Sequence, residues 1–394
     1  MNRHDHGRSL LLQWETTKPA NFYADDAYLR LALRRRLEPD GLARAEAVLS
    51  QAGADAAGPI NRAAFELDRP ERLPRLERWN RVGDRTEEVV FDPAYHEIGR
   101  LVWRSGILSV LGEPGHVTLH AALFYLFGLN GEVPHLCPVS CTAGLIKAIQ
   151  RSGSDWMRQT WLPRLLDPDY ARRWHGAQFL TEVVASLEDR LARAGTPPES
   201  DPLFRTAVNL NKYVCSVDAG LVVHHAMEIL GGNGTIEDFS PLPRLYRDVP
   251  VQETWEGPHN TLMAQMLRDA ARAKMHDALL GYAQDVLLGA GPAAFSKTRD
   301  RALAALEETR GRLAGLLRGD LADAALHIRV LMTRVARITQ VALLLEDAQY
   351  AADDPGWAWL EAAAELILNR WVVPGWEPMD DPGYPALVGR VLGE

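Results

Sequence analysis

Cysteine is scarce in this chain, with three in 394 residues, and Cys137 and Cys141 stand four apart on a predicted helix. That spacing is not the Cys-x-x-Cys of redox and zinc motifs, and so few thiols exclude a disulfide-stapled scaffold. A reduced, cytoplasmic protein is the expectation. An excess of positive charge is also missing: 43 Lys and Arg face 52 Asp and Glu, for a net charge of −9. Nucleic-acid affinity draws on clustered cations that release counterions, so no nucleic-acid partner is expected. The one basic run, Arg34-Arg35-Arg36, reads as a solvated helix face. Nowhere does the chain reach the ~18 uninterrupted apolar residues of a membrane span, and "MNRHDHGRSLLLQWETTKP" lacks the pattern of a signal peptide. No membrane partner is expected. Fixed-period repeats and low-complexity tracts are absent as well.

The common catalytic signatures are missing too. There is no Walker lysine and no Gly-x-Ser-x-Gly elbow. "GGNGTIE" lacks the third glycine of a dinucleotide fingerprint and follows a helix where that fold needs a strand. His116 and His120 have the spacing of a metal pair, yet no third ligand stands near them in sequence, and His224 and His225 point to different helix faces. No metal site is expected.

What is present is helix. With 47% hydrophobic residues, a chain of this length can bury more than one core. Asp92-Pro93 supplies an N-cap and a first-turn proline for a helix that closes on Gly106. Asp201-Pro202 repeats the device. Leu203, Ala207, Leu210, Val214, Val217 and Leu221 then recur at spacings of four and three, one stripe of a long helix ending at Gly231. Further helices are predicted at 115–130, 140–151, 258–289, 299–318, 321–352 and 357–371. Strand signals are confined to "TEEVVF" (86–91) and "AQFLTE" (177–182), neither with an obvious hairpin partner. The polar, proline-containing stretch 193–202 and the segment 289–298 are candidate boundaries. The fold class predicted is all-α: two helical bundles with little or no β-structure.

The stretch "MEILGGNGTIEDFSPLPRLYRDVPVQETWEGPHNTL" (227–262) carries the chemistry. Gly231, Gly232 and Gly234 expose backbone amides with no side chains over them, as close approach by a flat or phosphorylated ligand requires. Glu256 precedes a glycine just ahead of the next helix, and Pro258 suits that helix's first turn, whose free amides favour an anionic or carbonyl oxygen. On the residues alone, a simple helix C-cap with a solvated glutamate is as good a reading as a ligand loop. Asp248 is expected to pair with Arg244 or Arg247, and Trp255 either shapes a pocket or packs in a core.

The same stretch closely resembles the C-terminal motif of the acyl-CoA dehydrogenase family, in its adaptive-response branch linked to alkylation damage. "DRTEEVVFDPAYHEI" (84–98), "FYLFGLNGEVPHLCPVSCTAGLIKAI" (124–149) and "WLPRLLDPDY" (161–170) resemble that branch's N-terminal helical domain, in the family's order. The resemblance implies FAD as cofactor and an acyl-CoA thioester as substrate, oxidised at its CH–CH group. It implies Glu256 as the base taking the α-proton, and Gly231, Gly232 and Gly234 against the cofactor's adenosine diphosphate part. Asn260 and Thr181 would lie near the cofactor, Trp255 in the substrate pocket, and the protein would be a dimer or tetramer. The domains implied are 1–182, 183–290 and an additional helical region 291–394.

The sequence also departs from that family. Glu182 runs straight into "VVASLEDRLARAG" where the family begins a central β-domain that walls the flavin. Pro258 and His259 replace small residues that contact the cofactor, and Glu228 replaces a glutamine. FAD binding is therefore expected to be weak or absent. Three readings stay open: an acyl-CoA dehydrogenase-like oxidoreductase, a cofactor-poor helical relic, and a DNA-protection factor. Residues 264–394 weigh against the last, with 14 Lys and Arg against 18 Asp and Glu.

Overall fold

The computed structural model describes residues 3–113, 116–131, 133–176, 202–255, 257–289 and 295–392. Helix makes up 78% of the described residues, as the sequence predicts. The chain divides into two compact units, Met1–Thr196 with Ile229–Asp248 and Pro197–Glu228 with Val249–Glu394.

The first unit opens with α1 (Arg3–Thr17), α2 (Phe22–Asp25), α3 (Ala27–Arg36) and α4 (Pro39–Asp55). The Asn21 side chain accepts from the amides of Tyr23 and Ala24, and Asp26 accepts from Leu29, so α2 and α3 are capped by short polar residues. Helix α4 continues into a π-turn, Ala56–Ile60, and then α5 (Asn61–Leu67). Pro59 lies inside that turn and has no amide to donate, which accounts for the local widening.

A two-stranded antiparallel hairpin follows, β1 (Arg75–Trp79) with β2 (Arg85–Val90). The predicted strand at 86–91 is therefore real but not partnerless. Its partner "RLERW" is largely charged and solvent-facing, and so carries no apolar run to announce it. These are the two strands among the described residues; the predicted strand at 177–182 lies outside them.

Helix α6 (Pro93–Arg104) starts on the Asp92 cap and ends before Gly106, whose φ of +77° reverses the chain as predicted. It is followed by α7 (Val117–Gly128), α8 (Val133–Ser152), α9 (Asp155–Thr160) and α10 (Leu162–Leu165). The inward faces of this unit's helices bury Trp103, Phe127, Leu49, Ile60, Ile98 and Leu123 in one core. Gly99 sits under the Tyr170 ring so closely that a Cβ there would fall 2.1 Å from Cε2.

In the second unit, α11 (Pro202–Leu230) contributes residues up to Glu228, and α12 (Leu242–Thr254) contributes residues from Val249. The unit continues through α13 (His259–Ala273), α14 (His276–Gly289), α15 (Ser296–Arg318), α16 (Leu321–Tyr350), α17 (Trp359–Ile367), a π-turn Leu368–Val372 and α18 (Tyr384–Leu392). The single helix expected over 258–289 is two helices, because Lys274 adopts left-handed φ of +50° between them. Nothing in "RAKMHD" announces that break, since lysine is an ordinary helix former.

The core of this unit surrounds α16 and includes Leu306, Leu313, Met332, Val341 and Leu345. The apolar stripe of α11 meets it as predicted, with Leu210 and Val214 buried and Leu203, Ala207 and Val217 packed at its edge. Leu221 is the exception, at 40% exposure. From Val217 to Glu228 no residue is buried, although most are apolar. By length and composition, Arg205–Thr235 is long and apolar enough to cross a membrane, and 11% of its apolar 18-residue window is buried. Lys212, Asp218 and Glu228 interrupt it, so it contains no unbroken apolar run.

Two buried arginines fix the register of α16. Arg337 makes a bidentate pair with Asp218 at 2.7 and 2.6 Å and lies over the Trp371 ring at 4.6 Å. Arg334 donates to Thr309 Oγ1 at 2.9 Å and to Glu308.

Candidate functional site

In the first unit, α11 ends at Leu230 and Gly231 turns the chain with φ of +59° into a short 3₁₀ helix, Gly231–Thr235. A Cβ added at Gly231 or Gly232 would meet no atom within 4 Å, so the turn presents open backbone. Gly234 is buried instead. The segment after the turn is tied down by arginines. Arg247 bridges Asp68 at 2.6 Å and Glu237, and Arg244 donates twice, at 3.1 and 2.7 Å, to the carbonyl of Asn130.

Gly131 accommodates this close approach, with φ of +64° and Leu245 Cδ2 only 2.7 Å from where its Cβ would be. Beside the segment lies a cavity of about 220 Å³ walled by Leu67, Leu73, Phe91 and Tyr95, with Arg72 and Arg244 at its edge. Asp68, Asp92 and Asp248 line it as well, so the charge of the two arginines is matched within the cavity.

In the second unit, Trp255 follows the end of α12, half-buried, and Glu256 lies outside the described residues. Gly257 has φ of +101°, and Pro258 precedes α13 without a side-chain capping hydrogen bond. The flanks of this loop are held from α11. Lys212 Nζ donates to the carbonyls of Glu253 at 3.2 Å and Gly257 at 3.0 Å. One helical turn along, Ser216 Oγ lies 2.9 Å from His259 Nε2, and the Tyr213 ring meets His259 edge-on at 5.1 Å between centroids.

Burial pushes the His259 pKa below its ordinary value. Glu253 opposes that shift, while the charges of Lys212 and Arg329 add to it. Asn260 Oδ1 accepts from Arg329 Nη2 at 2.8 Å.

The predicted residues thus fall into three sets. Gly231, Gly232 and Gly234 form one turn in the first unit, and Trp255 and Asn260 belong to the loop-and-helix start in the second. Glu256 and Thr181 lie outside the described residues. Lys212, Ser216 and Arg329 were not singled out from the sequence. Lys212 and Ser216 share an α11 face at i, i+4 spacing, but nothing local shows that they reach a loop some 40 residues on. Among the described residues no group of three or more His, Cys, Asp or Glu could hold a metal ion. His120 Nδ1 is engaged with the Ile107 carbonyl at 2.7 Å.

Comparison with known families gives two matches. Residues 13–172 match the model for the adaptive response protein AidB N-terminal domain, and residues 164–271 match that for the acyl-CoA dehydrogenase C-terminal domain. The chain belongs to the acyl-CoA dehydrogenase family. Among curated acyl-CoA proteins, the AidB protein of Escherichia coli (strain K12), whose name places it with the acyl-CoA dehydrogenases, is 52% identical over 46 residues. Those residues are 12% of this chain and 8% of that protein.

Acryloyl-CoA reductase (NADH) of Anaerotignum propionicum is 36% identical over 89 residues, 23% of this chain and 20% of that enzyme. The matches thus span far less than two thirds of these curated relatives. Two solved structures share the acyl-CoA dehydrogenase-type helical fold. Caenorhabditis elegans ACDH-11 in complex with C11-CoA superposes with a TM-score of 0.74 at 15% identity, covering 93% of each chain. Bd2924 in its apo form gives 0.66 at 13% identity, covering 85% of this chain and 98% of that one.

Proposed function

We propose that this acyl-CoA dehydrogenase-family protein binds an acyl-CoA thioester and holds FAD weakly, acting on the substrate's CH–CH group when the cofactor is loaded. The observation that carries the reading is the open glycine turn: Gly231 in the left-handed region, with free space over both Gly231 and Gly232. These positions match the family segment that lies against the cofactor's adenosine diphosphate part. In this reading Glu256 removes the α-proton and Trp255 borders the substrate.

The residues present fit the group at the glycine turn. FAD, when bound, supplies the acceptor for the hydride leaving the β-carbon. Beyond the turn the described residues offer it little: the Asn260 amide oxygen already accepts from Arg329, and the strands among them form a single two-stranded hairpin. Losing one wall forfeits several kcal/mol at ~25 cal/mol per Å² of apolar area, and each ~1.4 kcal/mol is a factor of ten in affinity.

The same Asn260–Arg329 bond favours a second reading, in which the protein binds acyl-CoA but retains no cofactor and does not turn over. Self-association belongs to both readings. Leu221, Val222 and Ile229 are exposed by 40, 65 and 85%, an apolar surface that a second copy of the chain would cover. The free cysteines suit a reducing, cytoplasmic setting.

The test is calorimetric titration of the purified protein with a medium-chain acyl-CoA, with and without added FAD, followed by turnover with an artificial electron acceptor. Saturable acyl-CoA binding with FAD-dependent turnover supports the first reading. Binding without turnover supports the second, and no binding in either state overturns both.

A further inference from the structure

We infer that the cavity of about 220 Å³ at the root of the β1–β2 hairpin binds a small, uncharged aromatic molecule. Such a ligand is unlike an acyl-CoA, and the cavity uses none of the residues assigned to the acyl-CoA reading. Every residue that lines it belongs to the first unit.

The cavity forms where the hairpin joins the helices. Leu73 and Pro74 lead into β1, Phe91 and Asp92 lead out of β2, and α5 contributes Ala64 and Leu67. Protein interiors are filled to crystal-like density, with few voids larger than a water molecule. An apolar cavity of ~150 Å³ is enough to hold benzene, so this one has room for a single ring with a short substituent. Leu73 lines the cavity and is nonetheless 57% exposed, which places an apolar side chain at the mouth where an occupant would cover it.

The charged groups on the wall are committed to one another. Arg72 pairs with Asp92 at 3.5 Å and with Glu66 at 3.4 Å, and Asp92 also caps α6 through the Ala94 amide at 2.9 Å. Asp68 pairs with Arg247 at 2.6 Å. Arg244 donates to the Asn130 carbonyl, and Asp248 follows it one turn later on α12. With Asp68 matched by Arg247, Arg72 and Arg244 stand against Asp92 and Asp248, so the wall has no net charge with which to hold an anion or a cation. A charged ligand would bring its own charge unmatched among apolar groups.

Shape narrows the class further. The Phe91 and Tyr95 rings stack with centroids 4.3 Å apart and 19° between their planes, and Tyr95 also lies against the buried His135 at 4.1 Å, so the aromatic wall is held from behind. Pro74 and Pro134 add two more flat, apolar faces. An aromatic guest meets such rings edge-on or offset and gains beyond its buried area, which a puckered aliphatic ring does not.

The experiment titrates the full chain with probes of matched size, namely benzyl alcohol, benzoate, benzylamine and cyclohexylmethanol, followed by saturation-transfer NMR. Saturable binding of benzyl alcohol is expected, with benzoate and benzylamine weaker by about tenfold or more. Cyclohexylmethanol should be weaker by about threefold or more, the loss of the ring–ring contribution. Ala64→Leu extends a side chain into the cavity and should abolish binding, while Leu73→Ser should weaken it by about fivefold. Because Leu73 is exposed, Leu73→Ser leaves the fold intact and separates loss of the site from loss of structure. Absence of benzyl alcohol binding at millimolar concentration, equal binding of either charged probe or of cyclohexylmethanol, or binding unchanged in Ala64→Leu and Leu73→Ser would each overturn the proposal.

Discussion

Replacing Asp218 by Ala should destabilise the second unit far more than a surface ion-pair loss. Arg337 keeps its charge, and its side chain is 6% exposed, so it cannot turn to water when its partner is removed. It would retain Gln340 at 3.0 Å and the face of Trp371, neither of which carries compensating charge. Breaking a buried pair from one side costs about 3–5 kcal/mol. In a unit of this size ~1 kcal/mol moves the melting temperature by about 2–4 °C, so a drop of roughly 6–20 °C is expected.

The informative comparison is the double variant Asp218→Ala/Arg337→Met. It removes both charges and replaces the arginine stem with an apolar chain that still packs on Trp371. It should recover most of the loss, because the penalty comes from the stranded guanidinium rather than from a missing attraction. Urea unfolding followed by tryptophan fluorescence measures both. If the single variant loses less than about 1 kcal/mol, or the double variant is as unstable as the sum of the singles, the buried-pair argument is wrong.

Stability should also fall with acidity. His175 is held down to about 4 and His96 below its ordinary value, in both cases first by burial and then by the Arg173 charge. The unfolded chain therefore binds more protons than the folded one below about pH 6.5. The contribution is fully present above that pH and is lost as pH falls toward 4. Melting temperatures recorded from pH 8 to 4.5 should be flat above 6.5 and decline below it, and a decline that persists in His175→Gln with unchanged slope would remove this residue from the account. Any acyl-CoA oxidation should fall by ~10²-fold or more in Glu256→Gln, read as electron-acceptor reduction, since the amide keeps the volume and cannot take a proton. FAD added to the purified protein should wash out on dialysis, and flavin absorbance retained at one per chain would show that another segment walls the ring.

The parts of the fold written in local signals were the parts legible in the sequence. Asp92-Pro93 and Gly106 bracket α6 because capping and φ > 0 depend on a few neighbouring residues. The α11 stripe was readable through Val217 for the same reason, its period being set by the helix itself. Lys274 was not readable, since its left-handed turn is imposed by what α13 and α14 pack against. Nor was β1, whose partnership depends on a strand across a turn rather than on its own apolar residues. At the candidate site, the glycines and the Trp-Glu-Gly run could be found by pattern. The links from Lys212 to the Glu253 and Gly257 carbonyls and from Arg329 to Asn260 could not, because each joins helices far apart in the chain.

Gly99 and Tyr170 bear on how this chain can drift. With Tyr170 Cε2 and Cζ at 2.1 and 2.4 Å from a modest added methyl at position 99, even alanine has no room there while the tyrosine stays. The two positions, 71 residues apart, are locked into an order of change. Position 170 must shrink before position 99 can grow, and the intermediate pays with an emptied pocket beside Trp103, whose ring now meets Tyr170 at 5.7 Å. Descendants of this chain should therefore show glycine with a large aromatic or a larger residue with a small one, and seldom the two bulky residues together.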